Sequence, residues 1–274
     1  MAPPKAILFD IGGVCVISPF QAILDYEKDN NIPIGWINHS IQKGPHDAGA
    51  WQLIERGECV LDDEWFAAFK KQLSVPEHWS AYWVKHGQGK EGESVPKVPD
   101  IDSKRLFWDM MRTSRRPDPF MYPALKALRP HFILGALSNT VAFPDGILDD
   151  KGVLFSKGLT HDPPPNPHAA DSHDIQTCFD VFISSAHVGL RKPDPRAYDL
   201  AVRELGKISE ERGSGPVTAQ DVLFLDDIGV NLKWAKKSGL RTIKVNLGDT
   251  KVAVRELERE TGMSLLLGED KAKL

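Results

Sequence analysis

A chain of 274 residues with 34 Lys plus Arg against 38 Asp plus Glu carries a net charge of −4. Without a basic excess to displace phosphate counterions, nucleic acid is excluded as a general partner. Hydrophobic residues make up 41 % of the chain, enough for a folded core, yet no stretch approaches the roughly 20 apolar residues of a membrane span. In chain order, the first element is the apolar run Ala6 to Phe9, which closes on Asp10. It is too short for a signal-peptide core and ends on a carboxylate, so an intracellular chain is expected. The segment 18–116 then turns helical in its spacing and holds six of the seven tryptophans: Trp36, Trp51, Trp65, Trp79, Trp83 and Trp108. These rings predict the core of an inserted helical subdomain, with one or two free for a substrate pocket. Asp62 is placed to cap a helix there, and Gly87 to Pro99 reads as a loop.

Beyond the insert the pattern returns to short, continuous apolar runs, each ending near a polar residue. Phe132 to Leu137 closes on Ser138, Val181 to Ile183 on Ser184, and Val222 to Leu225 on Asp226 and Asp227; Thr242 to Val245 follows. Runs of this kind are strands buried on both faces of a parallel sheet. Helical spacing fills the gaps: Leu200, Ala201, Leu205 and Ile208 after Pro195, Leu232, Ala235, Leu240 and neighbours in a helix ending at Gly239, and a last helix beginning near Val252. The predicted fold is therefore α/β, a Rossmann-like doubly wound parallel sheet, with core residues 1–17 and 117–274 and a helical cap at 18–116. Between strands, 144–174 carries Pro163-Pro164-Pro165-Asn166-Pro167 with His161, His168 and His173. It reads as a histidine metal site, an active-site lid or, preferred here, a solvated surface loop. Cys15, Cys59 and Cys178 form no CxxC pair and are expected to be reduced thiols. The chain ends in Ala272-Lys273-Leu274, either a peroxisomal address resembling Ser-Lys-Leu or a frayed tail, so cytoplasmic and peroxisomal locations are both expected.

The polar residues at the strand ends are where a sheet of this kind binds ligands. Asp10 offers a carboxylate nucleophile or a metal ligand, and Ser138 a hydroxyl for an oxyanion. Lys192, in Gly189-Leu190-Arg191-Lys192-Pro193, offers a positive charge, and Asp226 and Asp227 offer paired carboxylates. Three carboxylates in one crevice repel unless a cation joins them, and an all-oxygen ligand set suits Mg²⁺. Together these are the parts needed for phosphoryl transfer from a small-molecule phosphate. There is no GxxxxGK[ST] or GxSxG loop.

Phe9-Asp10-Ile11-Gly12-Gly13-Val14, Leu137-Ser138-Asn139-Thr140, Lys192-Pro193 and Leu225-Asp226-Asp227 with Asn231 resemble the four motifs of the haloacid dehalogenase-like (HAD) superfamily. Gln42 to Pro45, Phe179 to Pro195, Val222 to Leu232, Glu256 to Glu258 and Thr261-Gly262 are similar, more narrowly, to the N-terminal phosphatase domain of soluble epoxide hydrolases. The resemblance implies that Asp10 attacks phosphorus to form an aspartyl-phosphate, with Ser138, the Asn139 backbone and Lys192 holding the phosphoryl oxygens. It implies Mg²⁺ on Asp10, the Gly12 carbonyl and Asp227, assisted by Asp226, with Asn231 orienting the acidic loop. That domain hydrolyses lipid phosphates. Without a nucleophile elbow, epoxide hydrolysis is not expected.

One position departs from the pattern. Family phosphatases read Asp-x-Asp, whereas Gly12 occupies the second site, where an aspartate protonates the leaving oxygen. Losing a general acid–base typically costs roughly 10² to 10⁴ in rate. The expected outcomes are slow turnover, restriction to aryl, acyl or pyrophosphate esters that leave easily, or substitution by another group; His46 and Asp47 are the candidates. A haloacid dehalogenase or phosphonatase-like reaction, or a catalytically impaired binding module, are the alternatives.

Overall fold

The computed structural model describes residues 2–86, 94–171 and 174–266. Five strands form one parallel sheet: β1 (Ala6–Phe9), β2 (Ile133–Ser138), β3 (Val181–Ser184), β4 (Val222–Asp226) and β5 (Arg241–Lys244), in the order β3-β2-β1-β4-β5. Each strand runs within a residue or two of its predicted apolar run; β1, β2 and β4 are buried along their whole length, as a strand covered on both faces requires, whereas β5, at the sheet edge, buries only Ile243 and is not the doubly buried strand expected. Successive side chains of β1 serve opposite faces. Ile7 and Phe9 join a core with Leu134, Ala136, Leu223, Leu225 and Ile243, whereas Ala6 and Leu8 pack with Ile133, Leu137, Val222 and Phe224. The first face is covered by α7 (Met121–Leu128) and α11 (Thr250–Thr261), the second by α9 (Pro195–Glu211) and α10 (Gly229–Lys237). A one-turn helix, α8 (Ser185–Val188), follows β3 directly. Leu240, placed in a helix by its spacing, lies beyond α10 and packs between α10 and the sheet.

Two compact units emerge from the contacts. The sheet unit comprises Met1–Ser18, Ser114–Asn139 and Ser156–Leu274; the helical unit comprises Pro19–Thr113 and Thr140–Phe155. Assigning all of 117–274 to the core was therefore wrong for 140–155. Phe143 and Phe155 pack their rings against Trp108 at 6.2 and 5.0 Å, and Arg112 bonds Asp149 at 2.9 Å and Asp150 at 2.7 Å. Proline content showed only that this stretch was irregular, not where its aromatic residues would be buried.

The helical unit contains α1 (Pro19–Asp29), α2 (Trp36–Gln42), α3 (Ala50–Glu55), α4 (Asp63–Leu73), α5 (Pro76–Lys85) and α6 (Ser103–Thr113). Trp36, Trp65, Trp79 and Trp108 are buried in its core, and Trp51 and Trp83 pack half-buried against it. Asp62 caps α4 as its position suggested, accepting the Trp65 amide at 2.8 Å. Buried Glu27 is satisfied by the amides of Gly35 and Ile37 near the start of α2, at 2.7 and 2.8 Å. Residues 94–99 of the predicted loop have no regular structure; the rest of it lies outside the described residues, as do His173 and the terminal tripeptide.

The proline-rich stretch is not a solvated loop throughout. His161 and His168 set their rings edge-on against Tyr122 at 5.2 and 5.4 Å, and Asp171 bonds both Tyr122 and His168. Tyr122, on the covered face of α7, gives these histidines an ordered neighbour that sequence spacing does not reveal. All three cysteines are free, and no helix among the described residues is long and apolar enough to cross a membrane.

Candidate active site

The sheet unit gathers its polar residues at the carboxyl ends of β1, β2 and β4. Register explains why. Phe9 pairs with Leu225 on one side and Ala136 on the other, so Asp10 stands level with Asp226 and Leu137, one residue short of Ser138. Strand order reverses direction at β1, and the crevice beside such a reversal is where open parallel sheets bind ligands. The Asp10 amide prolongs the ladder by donating to the Leu225 carbonyl at 2.9 Å.

Lys192 enters this row from the segment between α8 and α9. It is 1 % exposed, and its Nζ contacts Asp10 Oδ1 at 2.9 Å and Asp226 Oδ2 at 2.7 Å. Burial alone would lower the pKa of the ammonium; Asp10 and Asp226 outweigh it and hold that pKa above the ordinary lysine value. Asp226, fully buried, spends both oxygens on the chain. Oδ1 accepts the Ile228 amide at 2.7 Å, and the Asn231 side-chain amide reaches both oxygens at 3.1 Å. Asn231 is held in turn by the Tyr198 hydroxyl, which donates to its carbonyl at 2.9 Å. Tyr198 had no motif to signal it, although a buried tyrosine in the helical spacing of α9 is bound to seek a partner for its hydroxyl.

Asp10 uses one oxygen in this way. Its Oδ1 accepts both Lys192 and the Ile11 amide, the latter at 2.7 Å, while Oδ2 takes no hydrogen bond among the described residues. The Cys15 thiol donates to the Asp10 carbonyl at 3.2 Å and steadies the loop. Asp227 is the carboxylate left over, with Oδ1 buried and without a partner among the described residues. Gly13 is required beside it: at φ +79° a side chain is strained, and a Cβ would sit 2.9 Å from Asp227 Oδ2.

The donor set fits a hard divalent cation. Oxygens of Asp10, Asp226 and Asp227 lie within 4.8 Å of one another, with one ammonium set against three carboxylates. Without a cation, burial drives Asp10 up to about 6 despite the pull of Lys192; burial, with Asp10 and Asp226 adding to it, drives Asp227 up to about 8. Both values stand above the 3.8 of an unconstrained aspartate. Between about pH 4 and 8 the folded chain therefore binds more protons than the unfolded one, and these two groups subtract stability as pH rises through that window. Chelated protein is thus expected to melt at a lower temperature at pH 8 than at pH 6.5, with a smaller decline in Asp227→Asn and recovery on adding Mg²⁺ at pH 8. Equal slopes in wild type and variant by scanning fluorimetry would contradict this.

The other anticipated residues divide clearly. Ser138 is 5 % exposed at the end of β2. Asn139 was expected to act through its backbone, but its side chain is also engaged: Nδ2 donates to the Lys192 carbonyl at 3.1 Å, and Oδ1 accepts the Lys192 amide at 2.8 Å. Gly12 forms a backbone bridge with Val16. His46 and Asp47 belong to the helical unit, where they are 73 % and 93 % exposed and pair with each other at 2.5 Å. That is the arrangement of a solvent-facing pair.

The model of the haloacid dehalogenase-like hydrolase family matches residues 4–239. Bifunctional epoxide hydrolase 2 of Sus scrofa is 26 % identical over 264 residues, covering 96 % of this chain and 40 % of that protein. Acyl-CoA dehydrogenase family member 10 of Mus musculus is 27 % identical over 268 residues, covering 96 % of this chain and 20 % of that protein. The chain thus spans less than half the length of either relative. Among solved structures, a HAD-like family hydrolase from Porphyromonas gingivalis superposes with a TM-score of 0.51 at 18 % identity, covering 93 % of this chain and 98 % of that one. At that identity the likeness speaks for the fold alone.

Proposed function

This chain belongs to the haloacid dehalogenase-like hydrolase family, and from that premise we propose that it is a Mg²⁺-dependent phosphatase acting on a small-molecule or lipid phosphate. The observation that carries the reading is the division of labour among three carboxylates. Asp226 is consumed by Lys192 and Asn231, while among the described residues Asp10 keeps one oxygen without a hydrogen bond and Asp227 keeps a buried oxygen with no partner. A site that needed only a nucleophile would gain nothing from the second unspent carboxylate.

In this reading Asp10 attacks phosphorus through Oδ2, the bond to the leaving oxygen breaks, and its electron pair departs with that oxygen. Water then attacks the phosphorus of the aspartyl-phosphate, releasing inorganic phosphate and restoring Asp10. Lys192 and the Ser138 hydroxyl donate to the phosphoryl oxygens, where positive donors act on charge that spreads in the transition state. Mg²⁺, held by Asp10, the Gly12 carbonyl and Asp227 with Asp226 behind them, would supply the remaining charge neutralisation. With Gly12 offering no proton, esters with good leaving groups are favoured.

The test is release of p-nitrophenol from its phosphate, with Mg²⁺ or with EDTA, alongside halide release from chloroacetate. Phosphatase turnover that stops in EDTA is expected. Halide release without phosphatase turnover would replace this reading with the dehalogenase one.

A further inference from the structure

We propose that the side-chain amide of Asn139 is a positioning residue that sets where the Lys192 ammonium stands between Asp10 and Asp226. Lys192 lies in the stretch between α8 and α9, in neither helix nor strand, so its peptide has no ladder to hold it. A lysine side chain is long and rotamer-rich, and its ammonium goes where its backbone allows. Asn139 supplies the missing pairing. Its amide donates to the Lys192 carbonyl at 3.1 Å and accepts the Lys192 N–H at 2.8 Å, as a neighbouring strand would. Only a side chain with a donor and an acceptor on one short planar group can do both.

The consequence is geometric. Lys192 is held at its backbone by Asn139 and at Nζ by Asp10 and Asp226, at 2.9 and 2.7 Å, in a site that excludes water from the ammonium. Asn139 immediately follows Ser138 at the end of β2. The hydroxyl of Ser138 and the ammonium of Lys192 are therefore anchored to one strand end and keep their spacing. Both hydrogen bonds of the Asn139 amide go to the Lys192 peptide, so through them that side chain acts on the position of Lys192.

A direct test is hydrogen exchange of the Lys192 backbone amide in the full chain, followed by ¹H–¹⁵N NMR, with the β4 amides of Leu223 and Leu225 as internal reference. In Asn139→Ala the Lys192 amide is expected to exchange at least about 100-fold faster while the β4 amides hold their rates. In Asn139→Asp, which keeps the acceptor and loses the donor, that amide is expected to stay protected. Unchanged exchange in Asn139→Ala, equal acceleration in β4, or loss of protection in Asn139→Asp would each overturn the proposal; should the alanine variant fail to fold, the aspartate variant decides.

The kinetic arm rests on the phosphatase reading. With p-nitrophenyl phosphate, Asn139→Ala is expected to lower kcat by about tenfold or more while KM moves less than threefold, because misplacing a catalytic donor weakens the transition state most. A rise in KM at constant kcat would count against positioning. If wild type shows no turnover, the phosphatase reading fails, and the exchange result decides the role of Asn139 alone.

Discussion

Asp10→Asn is expected to reduce phosphatase turnover on the order of 10⁴-fold or more, the scale on which removal of a covalent nucleophile is read. An amide of the same shape keeps the packing but cannot attack phosphorus. The substitution also separates chemistry from stability. Asp10 sits in a cluster whose carboxylates repel one another, and burial pushes its pKa up to about 6. Lys192 keeps its shorter contact, to Asp226, when the Asp10 charge is gone. Metal-free Asp10→Asn should accordingly melt no lower than wild type while losing turnover. Activity within tenfold of wild type in a folded variant would remove Asp10 from the nucleophile role.

Gly12→Asp is expected to raise kcat/KM on alkyl phosphates by roughly 10² to 10⁴, the usual contribution of a positioned general acid–base, and to change aryl phosphates much less. An alkoxide leaves slowly unless protonated, whereas p-nitrophenolate departs unaided. The backbone tolerates the change, because Gly12 is absent from the glycines that adopt positive φ, unlike its neighbour Gly13 at +79°. A fourth carboxylate beside the cluster adds repulsion, so the variant should also depend more steeply on Mg²⁺ for its melting temperature. If rates on alkyl and aryl esters rise equally, or neither rises, the missing-acid argument fails.

Much of the sheet unit was legible because its physics is local. A strand buried on both faces must be a short apolar run, and the polar residue that ends it must sit at the sheet's rim, so the sequence alone places Asp10, Ser138 and Asp226 at strand ends. The cap on α4 was legible for the same reason, since Asp62 acts on an amide three residues away. What failed depended on distant partners. The stretch 140–155 went to the helical unit because Trp108 and Arg112 lie there, 30 or more positions back in sequence. His161 and His168 found Tyr122 by the same kind of long-range packing.

The site divides along that line. Residue types and order within short motifs determined which groups are available: a strand-end carboxylate, a hydroxyl, a lysine and an acidic pair, with glycine where an acid–base aspartate is usual. Tertiary structure alone decided how they are spent. Lys192 is 182 residues from Asp10 and 34 from Asp226, and only the parallel register of β1 against β4 lets one ammonium satisfy both. Which carboxylate oxygens remain available, and that the Asn139 side chain holds a backbone rather than facing outward, follow from distances that no spacing rule encodes. Hydrogen bonds and ion pairs act over about 3 Å, so their partners are settled only when the chain has closed on itself.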